Sequence, residues 1–403
     1  MAKHKKSKIV LVGKPKTQNY ENIKKKNNMK RCGNIYDKKR EIDNRVCKHK
    51  CAKEDKLFYK EVKMVDSDPD KYLSEIREML LNDTYEVSDY TISIINDKGK
   101  PRELAKLPYF PDRIIQWAIM LQIEPVFLKT FCSHTCSSIP GRGIKRVYQL
   151  TTKYLKDREN TKYCLKMDIS KFYPSINHNI LKQMLRKKFK DDRLLNLLDK
   201  IINSYPKETG VPIGSYLSQY LANFYLSYFD HWCKEDMHLK YVVRFADDIT
   251  IYNRSKRKLQ LLMTQIILYM REHLRLKVKP NWQIFPTDIR GVDFVGYRFF
   301  YDYILLRKST CKRFEKRMVS IRQKWWNGKY PNFSEWCSAN SYIGWLHWCD
   351  SWRLFEKYVE PVIIPLVMYY KYVILKGVDE KKQNRKAEKY LKGIYQKKGR
   401  IAI

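Results

Sequence analysis

The sequence predicts an α+β fold with an antiparallel sheet at its centre and a helical region after it. Three observations support this prediction. β-rich runs alternate with helical patterns through the central block. Residues 241–252 place two β-branched and aromatic runs around a short turn, which is typical of a β-hairpin. After about residue 303 the pattern is helical, and six of the nine tryptophans lie between Trp325 and Trp352. We therefore divide the chain at 1–65, 66–302 and 303–403.

The charge balance indicates a polyanionic partner. The 403 residues include 81 Lys and Arg against 43 Asp and Glu, a net charge of +38. Solubility needs a charge of only about 2–8 on a small domain. Nucleic acid is the commonest partner of so basic a chain, and an anionic membrane surface is its rival. The most apolar stretch, residues 358–375, is interrupted by Glu360, Pro361, Pro365 and Lys371, so it does not predict a spanning helix.

The N-terminal segment is predicted to be a basic arm that is partly disordered until it meets RNA. Residues 1–60 hold 20 Lys and Arg against 6 Asp and Glu. They lack the apolar core of a secretory signal, so we expect a cytoplasmic protein with reduced cysteines. The arm contains four candidate zinc ligands, Cys32, Cys47, His49 and Cys51, but their spacing matches no common zinc finger. Zinc binding and free thiols both stay open.

Local patterns predict the elements that precede the candidate site. Residues 72–81 read as a short helix. Residues 90–95 read as a strand that ends at the turn 96–99. A helix begins at Pro111 and Asp112. Its apolar face carries Ile114, Ile115, Ala118, Ile119 and Ile123.

A carboxylate at the end of a strand is the first candidate catalytic group. Residues 163–168 form a β-rich run that ends at Asp168. A tight turn follows, and Asn177 opens a helix that runs through Leu181, Met184 and Leu185. Taken alone, Asp168 is explained equally well as a catalytic carboxylate and as a cap of that helix.

Two adjacent carboxylates at the predicted hairpin favour a catalytic role for Asp168 over the helix-cap interpretation. Asp247 and Asp248 lie at or beside the tip, between two apolar strands, about 80 residues after Asp168. Three carboxylates brought together repel one another unless divalent cations neutralise them. Mg²⁺ is the natural occupant, and two such ions stabilise the attacking 3′ oxygen and the leaving pyrophosphate of nucleotidyl transfer.

An ordered set of motifs resembles the reverse transcriptases. MDISKFYPSI (167–176) and FADD (245–248) are similar to their two palm motifs. Across residues 84–350, in the family's order, the other matching segments are PREL (101–104), PYFPDRIIQ (108–116), SIPGRG (138–143), GVDFVGY (291–297) and YIGW (342–345). Each segment is weak by itself, but the ordered set is specific.

The resemblance implies a right-hand polymerase with fingers and palm at 66–302 and a helical thumb and basic tail at 303–403. It implies an RNA-directed DNA polymerase, a nucleotidyltransferase that uses dNTPs and Mg²⁺, for which Mn²⁺ can substitute. The partners it implies are a template RNA and the RNA–DNA hybrid. We expect most thumb tryptophans to pack in a core rather than stack on bases.

The resemblance also implies roles for individual residues. The catalytic, metal-binding residues are Asp168, Asp247 and Asp248. The candidate dNTP-binding residues are Arg102, Lys106, Arg113, Arg142, Tyr173, Ile213 and Gly214, with Tyr173 as the group that excludes a ribose 2′-OH. Phe294 and Gly296 belong to the primer-grip hairpin. Lys277 or Lys279 would protonate the pyrophosphate. For any one cation, plain contact with backbone phosphate is the simpler alternative.

One departure from the common pattern indicates a subfamily. Most reverse transcriptases carry Gln-Gly and then Ser-Pro, whereas this chain has Ile213-Gly214 and then Ser218-Gln219. That pattern resembles the enzymes of diversity-generating retroelements. The resemblance implies mutagenic retrohoming: a template-repeat RNA is copied with errors at adenines, with the help of a small basic helical accessory protein oligomer. The alternatives are a retron, group II intron or phage-defence reverse transcriptase, and a non-catalytic RNA-binding maturase.

Overall fold

The computed structural model of the chain describes residues 31–33, 49, 52–53, 58–97, 99–206 and 208–401. Most of the predicted basic arm, including Cys47 and Cys51, lies outside these ranges. The helices are α1 Lys60–Ser67, α2 Pro69–Leu81, α3 Ile114–Thr130, α4 Gly143–Leu155, α5 Phe172–Ser175, α6 His178–Lys188, α7 Asp192–Asn203, α8 Tyr216–His231, α9 Lys256–Leu274, α10 Thr287–Arg290, α11 Lys308–Trp326, α12 Phe333–Leu346, α13 Trp352–Leu354, α14 Ile363–Tyr369 and α15 Glu380–Ile401. The strands are β1 Thr91–Asp97, β2 Lys100–Lys106, β3 Tyr163–Asp168, β4 Val242–Phe245, β5 Asp248–Asn253, β6 Gln283–Pro286, β7 Val292–Phe294, β8 Tyr297–Phe299 and β9 Ile304–Leu306.

The central sheet has the order β4-β5-β3-β6, and each neighbouring pair is antiparallel. Its strands alternate between two apolar cores because successive side chains of a strand point to opposite faces. Leu165 and Met167 pack in the first core, and Cys164 packs in the second. The predicted α+β class with an antiparallel central sheet is confirmed.

Two apolar cores stabilise the fold, one on each face of the central sheet. The first combines one face of the sheet with the helices around it, and Ile115, Phe127 and Phe224 are fully buried there. The second combines the other face with the sheet β7-β8-β9 and the C-terminal helices, including Phe314 and Phe355. The central sheet is thus fixed from both sides, which makes it a rigid base for side chains at its strand ends.

Two elements cross the predicted domain boundaries. Helix α1 spans the boundary at 65–66, and its Val62 and Val65 are buried in the first core. Strand β9 lies beyond the boundary at 302–303 but pairs with β8. The segment assigned to the arm therefore contributes to the first core, and the sheet β7-β8-β9 extends into the segment assigned to the thumb.

Five of the six tryptophans between Trp325 and Trp352 fall into two groups. Trp336, Trp345 and Trp348 pack against the second core, as predicted. Trp326 is 70% exposed and Trp352 is 38% exposed. Among the described residues, no helix has both the length and the apolar character needed to cross a bilayer.

Candidate active site

The strand register brings the three predicted carboxylates together. Asp168 ends β3, and its partner across the ladder is Asp248, the first residue of β5. Phe245 pairs with Asp248 in the β4–β5 hairpin, so only Ala246 and Asp247 form the turn. Ala246 has φ +56°, a left-handed conformation that tightens such a turn. The hairpin thus sets Asp247 and Asp248 beside the end of β3.

The electrostatics of the three groups favour a bound cation. Burial raises the pKa of Asp248 to about 6. Burial, followed by the neighbouring Asp168 carboxylate, also raises the pKa of Asp247. One buried oxygen of Asp168 and one of Asp248 lack a hydrogen-bond partner in the described ranges. Unsatisfied buried oxygens are costly, and a divalent cation would satisfy them and favour the charged forms.

The carboxylates fit an open magnesium site rather than a closed cage. Within the described part of the chain, no group of three or more His, Cys, Asp and Glu side chains is arranged to enclose a metal by itself. Mg²⁺ is usually held by one or two carboxylates, with water and substrate phosphates completing its shell. Asp168, Asp247 and Asp248 are the residues that would hold it.

The ammonium groups of two lysines, Lys279 and Lys166, lie close to the carboxylates. Lys279 Nζ lies 2.7 Å from Asp168 Oδ2. Lys277 is exposed, and its backbone carbonyl accepts a bond from Ser170 N. Of the two lysines predicted as proton donors, Lys279 is therefore the one whose ammonium reaches the site. Lys166, which the sequence analysis missed, lies 3.5 Å from Asp248 Oδ2. Its position two residues before Asp168, on the same strand face, was the available signal.

A second missed residue, Arg244, anchors the hairpin. It is fully buried, and its guanidinium donates to both carboxylate oxygens of Asp230 in α8. It also donates to Asn223 Oδ1 at 3.1 Å and to the carbonyl of Ala246 at 3.0 Å. The last bond fixes the turn that carries Asp247. A charged residue inside an otherwise apolar strand was the signal in the sequence.

A cavity of about 640 Å³ separates the β1–β2 hairpin from the start of α8. Among its lining residues are Leu104, Lys106, Arg113, Gln116 and Gly214. Three of the predicted dNTP-binding residues, Lys106, Arg113 and Gly214, thus share one cavity. The Ser215 hydroxyl donates to Gln116 Oε1 at 2.6 Å, which ties its two walls together.

The other predicted triphosphate ligands are placed differently. Arg102 lies on β2, exposed, on the same strand face as Leu104 and Lys106 but nearer the hairpin tip. Arg142 NH1 donates to the carbonyls of Cys132 and Thr135 at 2.6 and 2.8 Å. This geometry favours a structural role for Arg142 in its loop over the predicted triphosphate contact.

Tyr173 and Ile213 are neighbours through the backbone. Val211 N donates to the Tyr173 carbonyl at 3.1 Å, so the loop carrying Ile213 is fastened beside Tyr173. Burial, with a smaller contribution from Asp247, raises the pKa of the Tyr173 phenol to about 12. Gly214 has φ +110°, and a Cβ there would lie 2.9 Å from Leu104 Cδ1. Only glycine allows this close approach of loop and hairpin.

The next predicted motif, Ser218 and Gln219, lies in the first turns of α8. Ser218 is buried and Gln219 is half-buried. Gln219 N donates to the Ser215 carbonyl at 3.4 Å. Both residues thus belong to the helix that follows the Ile213 loop and begins at Tyr216.

The predicted primer-grip residues form the β7–β8 hairpin. Phe294 is fully buried. Gly296 has φ +91°, and a Cβ there would lie 2.2 Å from Trp345 Cζ3, so the thumb packs directly on this turn. A cavity of about 410 Å³ between this hairpin and the central sheet is lined by Asp168, Asp248 and Lys166, among others. Lys166 Nζ also donates to the carbonyl of Asp293 in β7.

The candidate zinc ligands are only partly described. His49 Nε2 bonds to Asp66 Oδ1 at 2.8 Å, and Nδ1 bonds to the Tyr109 hydroxyl at 2.8 Å. Both ring nitrogens are thus engaged within the protein. Cys32 N donates to the Lys188 carbonyl at 3.0 Å, which joins the arm to the end of α6.

The profile of a known family covers the region that carries these groups. The family described as Reverse transcriptase (RNA-dependent DNA polymerase) matches residues 94–299. The chain belongs to this reverse transcriptase family. Its matched part runs from the β1–β2 hairpin through the carboxylates to the β7–β8 hairpin.

The individual relatives are only distantly similar to this chain. Protein YkfC of Escherichia coli (strain K12) is 25% identical over 256 residues, 60% of each chain. Nuclear intron maturase 4, mitochondrial, of Arabidopsis thaliana is 29% identical over 169 residues, 39% of this chain and 20% of that protein. The chain therefore spans less than two thirds of each of these relatives. A solved telomerase of Candida albicans, in complex with a telomeric RNA fragment, is 11% identical with TM-score 0.47, over 81% of this chain and 65% of that one.

Proposed function

We propose that the chain is an RNA-directed DNA polymerase that copies a template RNA into cDNA with dNTPs and Mg²⁺. The observation that carries this proposal is the pairing of Asp168 with Asp248 across the ladder, with Asp247 in the adjoining turn. A chain that only bound RNA would have no use for three carboxylates beside a polyanion. Without a bound cation, the three carboxylates would repel the negatively charged RNA.

The chain's own residues then perform defined tasks. Asp168, Asp247 and Asp248 hold the cations, and Arg244 keeps the turn of the hairpin in place. When bound, Mg²⁺ supplies charge stabilisation to the attacking and leaving oxygens. Lys279, whose ammonium contacts Asp168, donates a proton to the leaving pyrophosphate. Tyr173 fills the space beside the 2′ carbon of the incoming sugar. Lys106 and Arg113 line the cavity that receives the nucleotide.

The test is primer extension. The full chain is mixed with an RNA template, an annealed DNA primer and dNTPs, with Mg²⁺ or with EDTA. The expected product is DNA that depends on both dNTPs and Mg²⁺ and survives RNase. Since the natural template and an accessory protein can be required, the assay is repeated with transcripts of the DNA that flanks the gene and with any small basic protein encoded beside it. A chain that binds these RNAs and extends no primer on any of them contradicts the proposal.

We further propose that this enzyme serves a diversity-generating retroelement. Support comes from Ile213, where a flat amide is replaced by a branched apolar side chain, and from Gln219 after Ser218. The expected products are cDNAs with errors at template adenines, made with a small basic helical accessory protein. Retron, intron and phage-defence enzymes are the alternatives within the family. A near-repeat pair in the flanking DNA that differs only at adenines is the decisive sign.

A non-catalytic RNA-binding maturase is the second candidate function. The name of the Arabidopsis thaliana relative favours it, since that protein is described as an intron maturase. The matched region covers 20% of that protein. Primer extension separates the two functions, because a maturase without polymerase activity would bind RNA and leave the primer unextended.

A further inference from the structure

The end of the thumb hairpin formed by α11 and α12 exposes two large aromatic side chains. Trp326 is the last residue of α11 and is 70% exposed. Phe333 is the first residue of α12 and is 61% exposed. Both lie at the same end of the hairpin, on either side of the connecting turn. Two largely exposed aromatic rings at one place indicate a surface that a partner covers.

Neighbouring side chains hold the two rings in fixed orientations. The Arg322 guanidinium lies over the Trp326 ring, 4.9 Å from its centre. Arg322 Nε is buried and has no hydrogen-bond partner in the described ranges. Phe333 stacks on Trp336 at 6.3 Å, and Trp336 stacks on Tyr370 at 5.7 Å with an interplanar angle of 4°. Phe333 is therefore the open outer ring of an aromatic stack.

The helix that leads to this end is strongly basic. Residues 308–333 contain eight Lys and Arg and one acidic residue, Glu315. Lys308, Lys312 and Lys316 are exposed. They are four residues apart, so they lie on one helix face at intervals of about 6 Å. At 100° per residue, Trp326 falls on the same face as Lys308. A row of cations thus ends at an exposed ring.

We propose that this face of α11, with Trp326 and Phe333 at its end, binds unpaired RNA. The lysines contact successive phosphates, and the two rings stack on bases that are not in a duplex. This inference extends the proposed function, because it assigns a surface on α11 and α12 that would hold the template RNA. Cationic grooves that end in aromatic platforms are the usual means of binding single strands without sequence preference.

The chemistry of the patch favours RNA over a protein partner. Protein interfaces are enriched in aromatic residues and Arg but depleted of Lys, whereas three lysines line this face. By contrast, Arg317 and Lys324 are paired with Glu335 at 3.4 and 2.8 Å, and they support the hairpin internally. A duplex is also disfavoured as the occupant of the rings, since its bases stack on one another and offer no free face.

The first experiment measures the binding of the full chain to a short unstructured oligouridylate and to a blunt RNA–DNA duplex. Trp326→Ala and Phe333→Ala should each weaken oligouridylate binding by about fivefold to a hundredfold, the usual range for one stacked base. Trp326→Tyr, which keeps a flat ring, should restore most of the affinity. The matched control is Trp352→Ala, a partly exposed tryptophan beyond the opposite end of α12.

The second experiment separates stacking from charge. Replacing Lys308, Lys312 and Lys316 together by Gln should reduce the salt slope of oligouridylate binding by about 2, since each lost phosphate contact on a single strand removes about 0.7. Trp326→Ala should lower the affinity and leave that slope unchanged, because stacking releases no counterions.

Unchanged oligouridylate affinity in Trp326→Ala and Phe333→Ala would overturn the inference, and so would an equal loss for the single strand and the duplex. These measurements need no synthesis, so they stay informative if the chain extends no primer. Conversely, the control Trp352→Ala should retain both oligouridylate binding and primer extension. Loss of RNA binding and loss of catalysis are thus read separately.

Discussion

Arg244 and Asp230 form a buried ion pair in which the guanidinium Nε and NH2 donate to the two carboxylate oxygens at 2.8 and 2.6 Å. Neither side chain is exposed to solvent beyond 1%. Arg244 lies three residues before Asp247 and also donates to the Ala246 carbonyl. The pair therefore connects helix α8 to the turn that carries Asp247. The position of that turn thus depends on the packing of α8 in the core.

Replacing Arg244 by Met should destabilise the fold strongly. Breaking a buried pair leaves an uncompensated charge, which costs about 3–5 kcal/mol. The measurement is urea unfolding of parent and variant. The matched control is Arg158→Met, which removes the exposed pair between Arg158 and Asp302 and should cost less than about 1 kcal/mol. Similar losses for the two variants would mean that Arg244 is not an anchor.

The same pair has a defined pH signature. Burial alone raises the pKa of Asp230, but Arg244 and His134 together outweigh it and hold that pKa well below its usual range. The stability from this pair is therefore complete above the unfolded pKa of about 3.9. It is lost as the pH falls below that value toward the folded pKa. Asp230→Asn should flatten the pH dependence of the unfolding free energy in this acid range, and an unaltered profile would contradict the assignment.

Tyr173 should set the choice between deoxyribose and ribose. Tyr173→Ala opens space next to the 2′ carbon, so ribonucleotide incorporation should rise relative to deoxyribonucleotide incorporation. Tyr173→Phe keeps the ring and should behave like the parent. Single-nucleotide insertion with matched dNTP and rNTP pairs measures this ratio. If the Ala variant discriminates as well as the parent, another residue excludes the 2′-OH.

Lys279, not Lys277, should assist the leaving pyrophosphate. Lys279 Nζ contacts the Asp168 carboxylate, whereas Lys277 is exposed. Lys279→Gln should slow nucleotide addition by on the order of 100-fold, as expected for loss of general acid catalysis. Lys277→Gln is the matched control and should be close to the parent. Rapid-quench kinetics give both rates, and a larger defect in the Lys277 variant would reverse the assignment.

Ile213 should lower fidelity because it offers a nucleotide neither a hydrogen-bond donor nor an acceptor. A correct nucleotide then loses a contact worth about 0.5–1.5 kcal/mol, and about 1.4 kcal/mol corresponds to a tenfold change. Ile213→Gln should reduce misincorporation opposite template adenines several-fold while synthesis continues. Sequencing cDNA made by both versions on one template tests this. A constant adenine error rate would leave Ile213 as a subfamily mark without influence on fidelity.

Local patterns predicted the parts of the fold that depend on neighbouring residues. Asp168 ends β3 as the β-rich run indicated, and the hairpin of Asp247 and Asp248 has the predicted form. Asn177 caps α6, with its side chain accepting from Ile180 N at 3.0 Å. These features follow from strand and helix periodicity and from capping chemistry, all of which act over a few residues.

The features that were missed depend on residues distant in the chain. Arg244 was missed because its partner, Asp230, lies 14 residues away in helix α8, and strand β9 becomes visible only through its pairing with β8. Arg142 was assigned from its motif, but its guanidinium bonds to two backbone carbonyls of its own loop. The position of a residue in a motif predicts the region of the fold in which its side chain lies. Packing determines the direction in which that side chain points.

The most direct test of the catalytic assignment is primer extension by Asp168→Asn, measured beside RNA affinity in the same preparation. Asn keeps the shape and removes the charge that holds a cation, so synthesis should fall to background while RNA binding stays at the parental level. Asp302→Asn, at an exposed carboxylate away from the site, should retain full activity. Background synthesis with intact RNA binding in the Asp168 variant alone is the predicted result. Near-parental synthesis by Asp168→Asn would contradict the account.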